Sequence, residues 1–266
     1  MPDQPLPADY LLRFSGLGRV FGEQALPRLA AARFCIVGVG GVGSWAAEAA
    51  ARSGIGSITL IDHDDIELGN INRQIHSLDS TLGQSKVEVL ARRIGDINPG
   101  CRVEAIDRLV TRATLEDFGF DRFDCVIDAI DGVTHKMALI HHLRRGKIRF
   151  VTTGGAGGLT DPTCITVNDL NRCHNDPLLA KLRSKLRHQL GYSRNPKRRY
   201  GIDCVYSTQQ PLYPAAGGSV SHAKPGNDER STLDCATGLG SFVAVTAAFG
   251  FTAFAHGLGK YLRSFE

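Results

Sequence analysis

Cysteine pairs of the form C-x-x-C are absent from the sequence, and its seven cysteines, which run from Cys35 to Cys235, are an odd number. Both features argue against a disulfide framework and against a four-thiolate zinc site. The first residues, MPDQPLPADYLLRF, contain Asp and Pro where a signal peptide needs a basic start and an apolar run. We therefore expect a cytoplasmic protein of a reducing compartment.

Charged residues are absent from one long segment, Ala236 to Gly259, whose length alone would allow it to span a bilayer. Its many Gly, Ala, Ser and Thr residues lower its hydrophobicity and allow close backbone approach. The segment is therefore predicted to be a buried helix packed against a sheet, and a membrane partner is not expected. The net charge of +4 is only mildly basic, so it permits a nucleic-acid partner without arguing for one.

Apolar runs alternate with helix-like segments from Arg33 onward, which indicates an α/β protein with a Rossmann-like, doubly wound, mostly parallel sheet. The predicted strands of this part are RFCIVGVG, SITLID, CRVEAIDR and FDCVIDAID. We expect three parts: an N-terminal arm with helices (1–32), the Rossmann-like domain (33–160) and a C-terminal extension (161–266). In the extension, a strand PTCITVNDL precedes two predicted exposed, mobile loops, the basic KLRSKLRHQLGYSRNPKRR and the Gly-, Ser- and Pro-rich AAGGSVSHAKPGNDERS.

A glycine-rich turn follows the first predicted strand and opens a helix. Glycine permits a tight turn and lets backbone amides approach a phosphate at the positive end of the helix dipole. The predicted phosphate-binding glycines are Gly38, Gly40, Gly41 and Gly43. Asp62, at the end of the next strand, is placed where a dinucleotide fold holds ribose hydroxyls. These residues alone suit NAD, FAD or ATP. A second glycine run, 154–158, lacks the Lys-Ser/Thr ending of a P-loop and is expected to allow close backbone approach beside the substrate.

Two cations and an amide further along the chain favour ATP among these ligands. Arg73 and Lys86 can neutralise the charge that grows on a triphosphate as its α-phosphoryl group is attacked, and Asn70 can donate a side-chain amide. A nicotinamide enzyme has no use for cations aimed beyond the pyrophosphate. Asp131 follows the apolar strand FDCVIDAID, where open α/β sheets bind ligands, and is the predicted Mg²⁺ ligand.

The order of these motifs is G-x-G-G-V-G-S, D-x-D, N-x-x-R-Q, G-x-x-K and D-x-x-D. Over about residues 13 to 160 it resembles the ubiquitin-activating (ThiF/MoeB-like) superfamily of adenylating enzymes. The resemblance implies a homodimer that uses ATP and Mg²⁺. It assigns the ribose to Asp62 and the magnesium to Asp131, and it makes further nucleotide-binding residues of Asp64, Asn70, Arg73 and Lys86.

Within that superfamily the chain most resembles, nearly end to end, the bacterial dehydratases that act on threonylcarbamoyladenosine in tRNA. The segments that carry this resemblance are RFSGLGRVFGEQAL, NRQIHSL, VTTGGAGG, DPLLAKLR, DCVYST and DCATG. It implies that ATP activates the threonyl carboxylate of a modified adenosine beside the anticodon, and that a nucleophile of the same base then closes a ring with net loss of water. Intramolecular closure can supply several kcal/mol, about 7 to 11 in the best cases, so no protein nucleophile is required.

Two other functions stay open. The first is an adenylyltransferase for a ubiquitin-like sulfur-carrier protein, with a cysteine desulfurase or sulfur-acceptor system as a partner. Its leading thiols are Cys235 and Cys204, although an inert packing role is favoured for each because cysteine is among the most buried residue types. The second is an NAD-binding oxidoreductase. The sequence also leaves open whether a monovalent cation, Na⁺ or K⁺, binds near the active site.

The superfamily often brings an N-terminal arginine of the neighbouring subunit, in a pattern R-x-x-R, to the triphosphate. In this chain Gly16 stands at the second arginine position, so Arg13 and Arg19 are both candidates.

The resemblance also makes the basic loop KLRSKLRHQLGYSRNPKRR, called the basic insertion below, the predicted tRNA-binding element. Tyr192 and Tyr200 are expected to stack on exposed bases. Contacts to the phosphate backbone are predicted for Lys181, Arg183, Lys185, Arg187, Lys197, Arg198 and Arg199.

Overall fold

The computed structural model describes residues 5–224 and 239–266. Its main sheet consists of β1 (Arg33–Val37), β2 (Ser57–Asp62), β3 (Arg102–Asp107), β4 (Cys125–Asp128), β5 (Phe150–Thr153), β6 (Ile165–Asp169) and β7 (Asp203–Ser207). The strands lie in the order β3-β2-β1-β4-β5-β7-β6. All neighbours pair in parallel except β6 and β7, which are antiparallel. The predicted Rossmann-like, mostly parallel sheet is therefore confirmed.

Helices cover both faces of this sheet. They are α1 (Ala8–Phe21), α2 (Ala25–Ala31), α3 (Gly43–Arg52), α4 (Lys86–Ile97), α5 (Val133–Arg145), α6 (Pro177–Leu190) and α7 (Val243–Leu262). Alternate side chains of β1 enter two separate cores: Phe34 and Ile36 pack with α3, α4 and α7, whereas Cys35 and Val37 pack with α5 and α6. This alternation is the signature of a strand that is buried on both faces.

The chain changes direction across the sheet at β1. One neighbour of β1 is β2, which follows it in sequence, and the other is β4, which follows only after β3. In open α/β sheets such a switch point leaves a crevice outside the carboxyl ends of the two strands, and ligands bind there. The glycine turn (38–43) and the loop that carries Asp131 border this crevice.

Within its described part the uncharged segment forms helix α7 from Val243 onward, and this helix packs against the sheet as predicted. A Cβ atom added to Gly250 would overlap the carbonyl oxygen of Val42 at the start of α3, and one added to Gly257 would lie 2.9 Å from Cys125 Sγ in β4. Small residues therefore let α7 lie directly on α3 and on the sheet. Among the helices of residues 5–224 and 239–266, none is long and apolar enough to cross a membrane.

The prediction that the basic insertion is a mobile loop was wrong for its first part. Pro177–Leu190 forms α6, which begins where the carboxylate of Asp176 accepts a hydrogen bond from the Leu179 N–H at 2.9 Å. One face of α6 is fully buried through Leu179, Leu182 and Leu186. The many Lys and Arg residues between these leucines hid the helical period.

The second predicted loop also contains structure in its described part. A short hairpin of β8 (Tyr213–Pro214) and β9 (Val220–Ser221) overlaps the beginning of AAGGSVSHAKPGNDERS. Residues 225–231 of that stretch lie outside the described residues.

The contact between α3 and α7 gives a direct test of this fold. Gly250→Ala is expected to destabilise the protein by about 1–3 kcal/mol, because the new methyl group meets backbone atoms that cannot move aside. Gly95→Ala in α4 is the matched control, since a Cβ atom there has open space and alanine favours a helix by up to about 1 kcal/mol. Denaturant unfolding of both variants measures the difference; equal stabilities would contradict the close contact.

Candidate active site

The glycine turn between β1 and α3 leaves no room for side chains at two positions. Gly38 has a φ of +83°, donates its N–H to the Ile61 carbonyl at 2.8 Å, and would carry a Cβ atom only 3.0 Å from the Ala129 carbonyl. A Cβ atom on Gly43 would overlap the carbonyl oxygen of Gly38. Glycine is therefore required here for the turn to close against the ends of β2 and β4.

The turn presents unused hydrogen-bond donors to the crevice. Within the described residues, no acceptor is bonded to the backbone N–H groups of Gly40, Gly41, Val42 and Gly43. They lie at the N-terminus of α3, where the helix dipole favours negative charge. This arrangement fits a phosphate group.

Asp62, at the end of β2, ties this strand to the turn. One of its carboxylate oxygens accepts a hydrogen bond from the Val39 N–H at 2.7 Å, and the other accepts from the N–H groups of His63 and Asp64 at 2.8 and 3.0 Å. The carboxylate is half-buried and held at the mouth of the crevice. Its position is compatible with the predicted ribose contact, which stays a prediction.

Lys86 is the first residue of α4 and is almost fully buried. Its Nζ donates to Asp64 Oδ2 at 2.7 Å, and its backbone N–H donates to the Asp64 carbonyl at 3.1 Å. The ammonium group is thereby held next to the Asp62 loop. The potential metal-ligand atoms of Asp62, His63 and Asp64 lie within 4.8 Å of one another, and both carboxylates also accept hydrogen bonds from the chain.

Arg73 lies against the glycine turn. Its Cγ and Cδ atoms are 3.3 Å from the position that a Cβ atom on Gly41 would take. Its guanidinium donates to the Gly69 carbonyl at 2.6 Å and to Asn72 Oδ1 at 3.0 Å. These partners are neutral, so the positive charge of Arg73 remains available to an anion.

Asn70 is buried and caps the short helical turn that precedes Arg73. Its Oδ1 accepts a hydrogen bond from the Glu67 N–H at 3.1 Å, and its carbonyl accepts from the N–H groups of Arg73 and Gln74. Within the described residues its side-chain amide nitrogen has no acceptor. The predicted role of this amide as a donor is compatible with that geometry.

The loop that carries Asp131 is shaped by a fully buried ion pair that the sequence analysis did not nominate. Lys136 Nζ lies 2.9 Å from Asp128 Oδ2 and donates to the Ile130 carbonyl at 2.9 Å, while Asp128 also accepts from Thr152 Oγ1 at 2.6 Å. The loop lies beside Gly38 and exposes Asp131 at the same edge of the sheet. An exposed carboxylate near phosphates is a usual Mg²⁺ ligand.

Several buried polar groups around the crevice have no partner within the described residues. Ser44 is the second residue of α3, Gln74 lies near Gly40, and Ser85 precedes Lys86; each has an unpaired side-chain oxygen. Buried polar atoms are normally hydrogen-bonded, so these oxygens indicate that a polar ligand completes the site. Ser44 and Gln74 belong to the motifs G-x-G-G-V-G-S and N-x-x-R-Q but were not singled out from the sequence.

The second glycine run approaches another buried carboxylate. A Cβ atom on Gly154 would overlap Asp176 Oδ2, which accepts a hydrogen bond from the Gly155 N–H at 2.9 Å. Burial raises the pKa of Asp176. The Gly158 N–H donates to the Gly240 carbonyl at 2.7 Å, so this run joins the start of α6 to the segment before α7. The expected close backbone approach is thus present at these glycines.

Comparison with known proteins decides the family. The model of the ThiF family matches residues 15–252. The chain belongs to the ThiF family. The predicted membership of the ThiF/MoeB-like superfamily is therefore confirmed.

The chain is similar over nearly its whole length to characterised members. It is 50% identical over 250 residues to the tRNA threonylcarbamoyladenosine dehydratase of Escherichia coli (strain K12), which covers 94% of this chain and 93% of that protein. It matches the structure of TcdA (CsdL) with a TM-score of 0.89, 47% identity and 98% coverage of each chain. The structure of the E. coli tRNA N6-threonylcarbamoyladenosine dehydratase TcdA in complex with ATP matches with a TM-score of 0.87, 46% identity and the same coverage.

Of the two candidate thiols, Cys204 lies within the described residues. Cys204 lies in β7 and is fully buried, and burial raises its pKa well above the ordinary value. A transfer thiol needs access and thiolate character, so this geometry favours the packing role for Cys204. Cys235 lies outside the described residues.

Arg13 and Arg19 lie on α1, whose first half packs against the end of α3 that is remote from the glycine turn. Tyr10 of α1 donates to the Gly54 carbonyl just beyond the end of α3, at 2.7 Å, and Arg13 donates to the Ile97 carbonyl at the end of α4. The 10 residues of α3 span about 15 Å between that end and the turn. These contacts place Arg13 away from the crevice of its own subunit.

The predicted tRNA-binding residues fall into two groups. Arg187 donates to Tyr200 Oη and Asn171 Oδ1, both at 2.9 Å, Lys185 donates to Thr134 Oγ1, and Arg183 donates to the Leu170 carbonyl, so these three have partners within the chain. The other predicted residues are exposed: Lys181, Lys197, Arg198 and Arg199. The expectation that Tyr200 stacks on bases was wrong, because its ring is buried and its hydroxyl donates to the Ser193 carbonyl.

His76 makes the stability of the site region pH-dependent. Burial lowers the pKa of His76 to about 4, and the charges of Lys86 and Arg93 add to this effect. Because the unfolded histidine titrates near 6.5, the unfolded state binds more protons between these values, and stability falls by about 3 kcal/mol as the pH drops from about 6.5 to 4. In His76→Leu this part of the loss is expected to disappear in unfolding curves measured across that range.

The exposed His188 on α6 supplies the control for this measurement. His188→Leu is expected to retain the wild-type pH dependence. A His76→Leu variant that loses as much stability as the wild type between pH 6.5 and 4 would contradict the assignment to His76.

Proposed function

We propose that this chain is an ATP-dependent enzyme that dehydrates threonylcarbamoyladenosine beside the anticodon of tRNA. The observation that carries the proposal is a glycine turn with free N–H groups that contacts Arg73 on one residue and Asp62 on another, with Lys86 bonded to Asp64 beside it. The similar E. coli protein named for this substrate, and its structure in complex with ATP, support it. A cytoplasmic location, where ATP and tRNA occur together, belongs to the proposal.

The residues of the crevice divide the binding of ATP among them. The N–H groups of the turn bind phosphate oxygens, Asn70 donates its amide to them, and Asp62 accepts hydrogen bonds from the ribose. Asp64 gives up its contact with Lys86 as phosphate arrives, so that Lys86 and Arg73 face the growing charge. Asp131 would hold Mg²⁺, which supplies further neutralisation of the phosphates when bound.

The chemistry then needs no covalent bond to the protein. A carboxylate oxygen of the substrate attacks the α-phosphorus of ATP, the P–O bond to the β-phosphate breaks, and pyrophosphate leaves. A nucleophile of the same base attacks the activated carbonyl carbon, and AMP leaves with that carboxylate oxygen. The nucleoside has then lost one water, and ATP has become AMP and pyrophosphate. Both reacting groups belong to one nucleoside, so holding them in place provides the rate advantage.

The sulfur-carrier alternative is less well supported. It needs an accessible thiol, and Cys204 is buried. The NAD alternative does not explain why Arg73 and Lys86 adjoin a phosphate-binding turn, whereas ATP does. Both alternatives also leave unexplained the end-to-end similarity to proteins that carry the dehydratase name.

The reaction is tested by mass spectrometry of anticodon-loop nucleosides after incubation of threonylcarbamoylated tRNA with ATP. The expected product is lighter by one water, and AMP, not ADP, is the expected nucleotide product. Lys86→Met and Arg73→Ala should each lower kcat by about 100-fold or more, since each removes a charge that stabilises the transition state. Arg108→Ala, an exposed arginine paired with Asp117, is the control and should keep full activity. Full activity in both site variants would contradict the proposal.

We also propose that the enzyme is a homodimer in which α1 of one subunit completes the site of the other. Arg13 lies too far from its own turn to serve it, and Arg19 belongs to the same helix. Large apolar side chains are exposed on α1, including Leu12 and Val20, and on the 68–82 segment, including Leu68 and Leu78. Between that segment and α4 lies a cavity of about 460 Å³. Exposed apolar patches of this kind mark protein interfaces.

Complementation between two inactive variants tests this arrangement. Lys86→Met disables the crevice, and the double change Arg13→Ala/Arg19→Ala disables the donated arginines. Co-expression of the two should restore part of the activity, because a mixed dimer contains one site with both parts intact. Adding Leu12→Asp and Val20→Asp to both chains should give monomers by light scattering and abolish the restoration. Absence of any restoration in demonstrated mixed dimers would contradict the donated arginine.

A further inference from the structure

A strongly basic cleft lies at the end of α5 that is remote from the crevice. It has a volume of about 430 Å³, and its lining includes Arg144, Arg145, Lys147, Tyr192, Arg198 and Arg199. No Asp or Glu residue of the described chain lines it. Of these cations, only Arg198 and Arg199 belong to the basic insertion. Arg144, Arg145 and Lys147 come from a different part of the chain, and the fold brings them beside it.

The cations of this cleft are not neutralised within the protein. Arg145, Lys147 and Arg198 are exposed, and no acidic group in the described residues lies within ion-pair distance of them. Arg199 has one long contact, 3.8 Å, to Asp169. Like charges held close together repel one another, so this cluster favours binding of a polyanion.

The cleft is held in shape by buried contacts beneath it. The carboxylate of Asp169 is fully buried and accepts hydrogen bonds from the N–H groups of Tyr200 and Gly201 at 2.9 and 2.8 Å. Asn171 Nδ2 donates to the Arg198 carbonyl at 2.6 Å, and Arg144 Nε donates to the Tyr200 carbonyl at 3.0 Å. The segment 198–201 is therefore fixed against α5, and the cationic side chains extend from a rigid base.

The distance from the crevice indicates which anion the cleft binds. Helix α5 begins just after Asp131, and its 13 residues carry the chain about 20 Å from there to Arg145. A small substrate in the crevice cannot reach that far, whereas a tRNA extends well beyond its reacting nucleoside. The cleft is open and its cations are exposed, which suits a backbone with repeated phosphates better than a single enclosed ion.

We propose that this basic cleft binds the phosphate backbone of the substrate tRNA at a distance from the reacting nucleoside. The inference rests on the proposed function, because that function makes tRNA the substrate. The cleft adds affinity and orientation and takes no part in the chemistry. Tyr192, which packs edge-on against Tyr200 with ring centroids 5.0 Å apart, forms an aromatic part of its wall.

The test compares a cleft variant with a control of equal charge. Arg145→Gln/Arg198→Gln removes two cations whose side chains hold no part of the fold, and Arg102→Gln/Arg108→Gln removes two from β3 and the loop after it, at the opposite edge of the sheet. Binding of full-length tRNA is measured against salt concentration. The cleft variant is expected to bind about 10-fold more weakly, with a log–log salt slope smaller by about 1 to 2, while the control retains wild-type values.

Turnover of two substrates locates the effect. With full-length tRNA the cleft variant should show a raised KM and an unchanged kcat, and its KM for ATP should not change. With a short anticodon-loop oligonucleotide, too short to reach the cleft, it should match the wild type. Equal losses with both substrates, or tRNA binding as tight as in the control variant, would overturn the proposal.

Failure of the proposed function gives a different result. In that case the wild type leaves threonylcarbamoylated tRNA unchanged, whatever the cleft variant does in the binding assay. A wild type that dehydrates tRNA together with an unaffected cleft variant overturns the cleft alone.

Discussion

The close approach of Gly43 to the Gly38 carbonyl is the constraint on which the site depends. Because Gly43 has no side chain, the chain can turn sharply from β1 into α3. The first N–H groups of the helix then point into the crevice. The bond from Val39 to Asp62 then fixes the end of β2 to the same turn. A single backbone feature thus sets the distance between the phosphate-binding donors and the carboxylate at the nucleoside end.

The buried pair of Asp128 and Lys136 extends this rigid frame to the third strand of the crevice. Buried ion pairs add little net stability, since desolvation offsets their attraction, but leaving one partner alone costs about 3–5 kcal/mol. Here each charge also has hydrogen bonds, from Thr152 and to the Ile130 carbonyl. The pair therefore specifies one conformation of the loop before Asp131, and that conformation packs against Gly38.

Features that depend on short stretches of sequence could be predicted, whereas features that depend on contacts between distant residues could not. The parallel sheet, the glycine turn and the motif residues follow from periodicity and spacing along short stretches, and the structure gathers them at one edge. Lys136 and Asp176 were missed because each acts on residues that the fold alone brings near, Asp128 for one and Gly155 for the other. Helix α6 was missed for another reason: its charged residues outnumber the leucines that bury it.

Cations that hold the fold differ in their surroundings from those that face ligands. Arg93 and Arg52 both pair with Glu48, a carboxylate with only 5% of its side chain exposed, and they lower its pKa despite the opposing effect of burial. Lys86 pairs instead with Asp64, whose side chain is 52% exposed, and Arg73 has only neutral partners. A triphosphate can therefore take over the charges at the crevice without leaving a buried carboxylate unpaired, which it could not do at Glu48. The distribution of acids, more than that of the cations themselves, marks where this chain binds an anion.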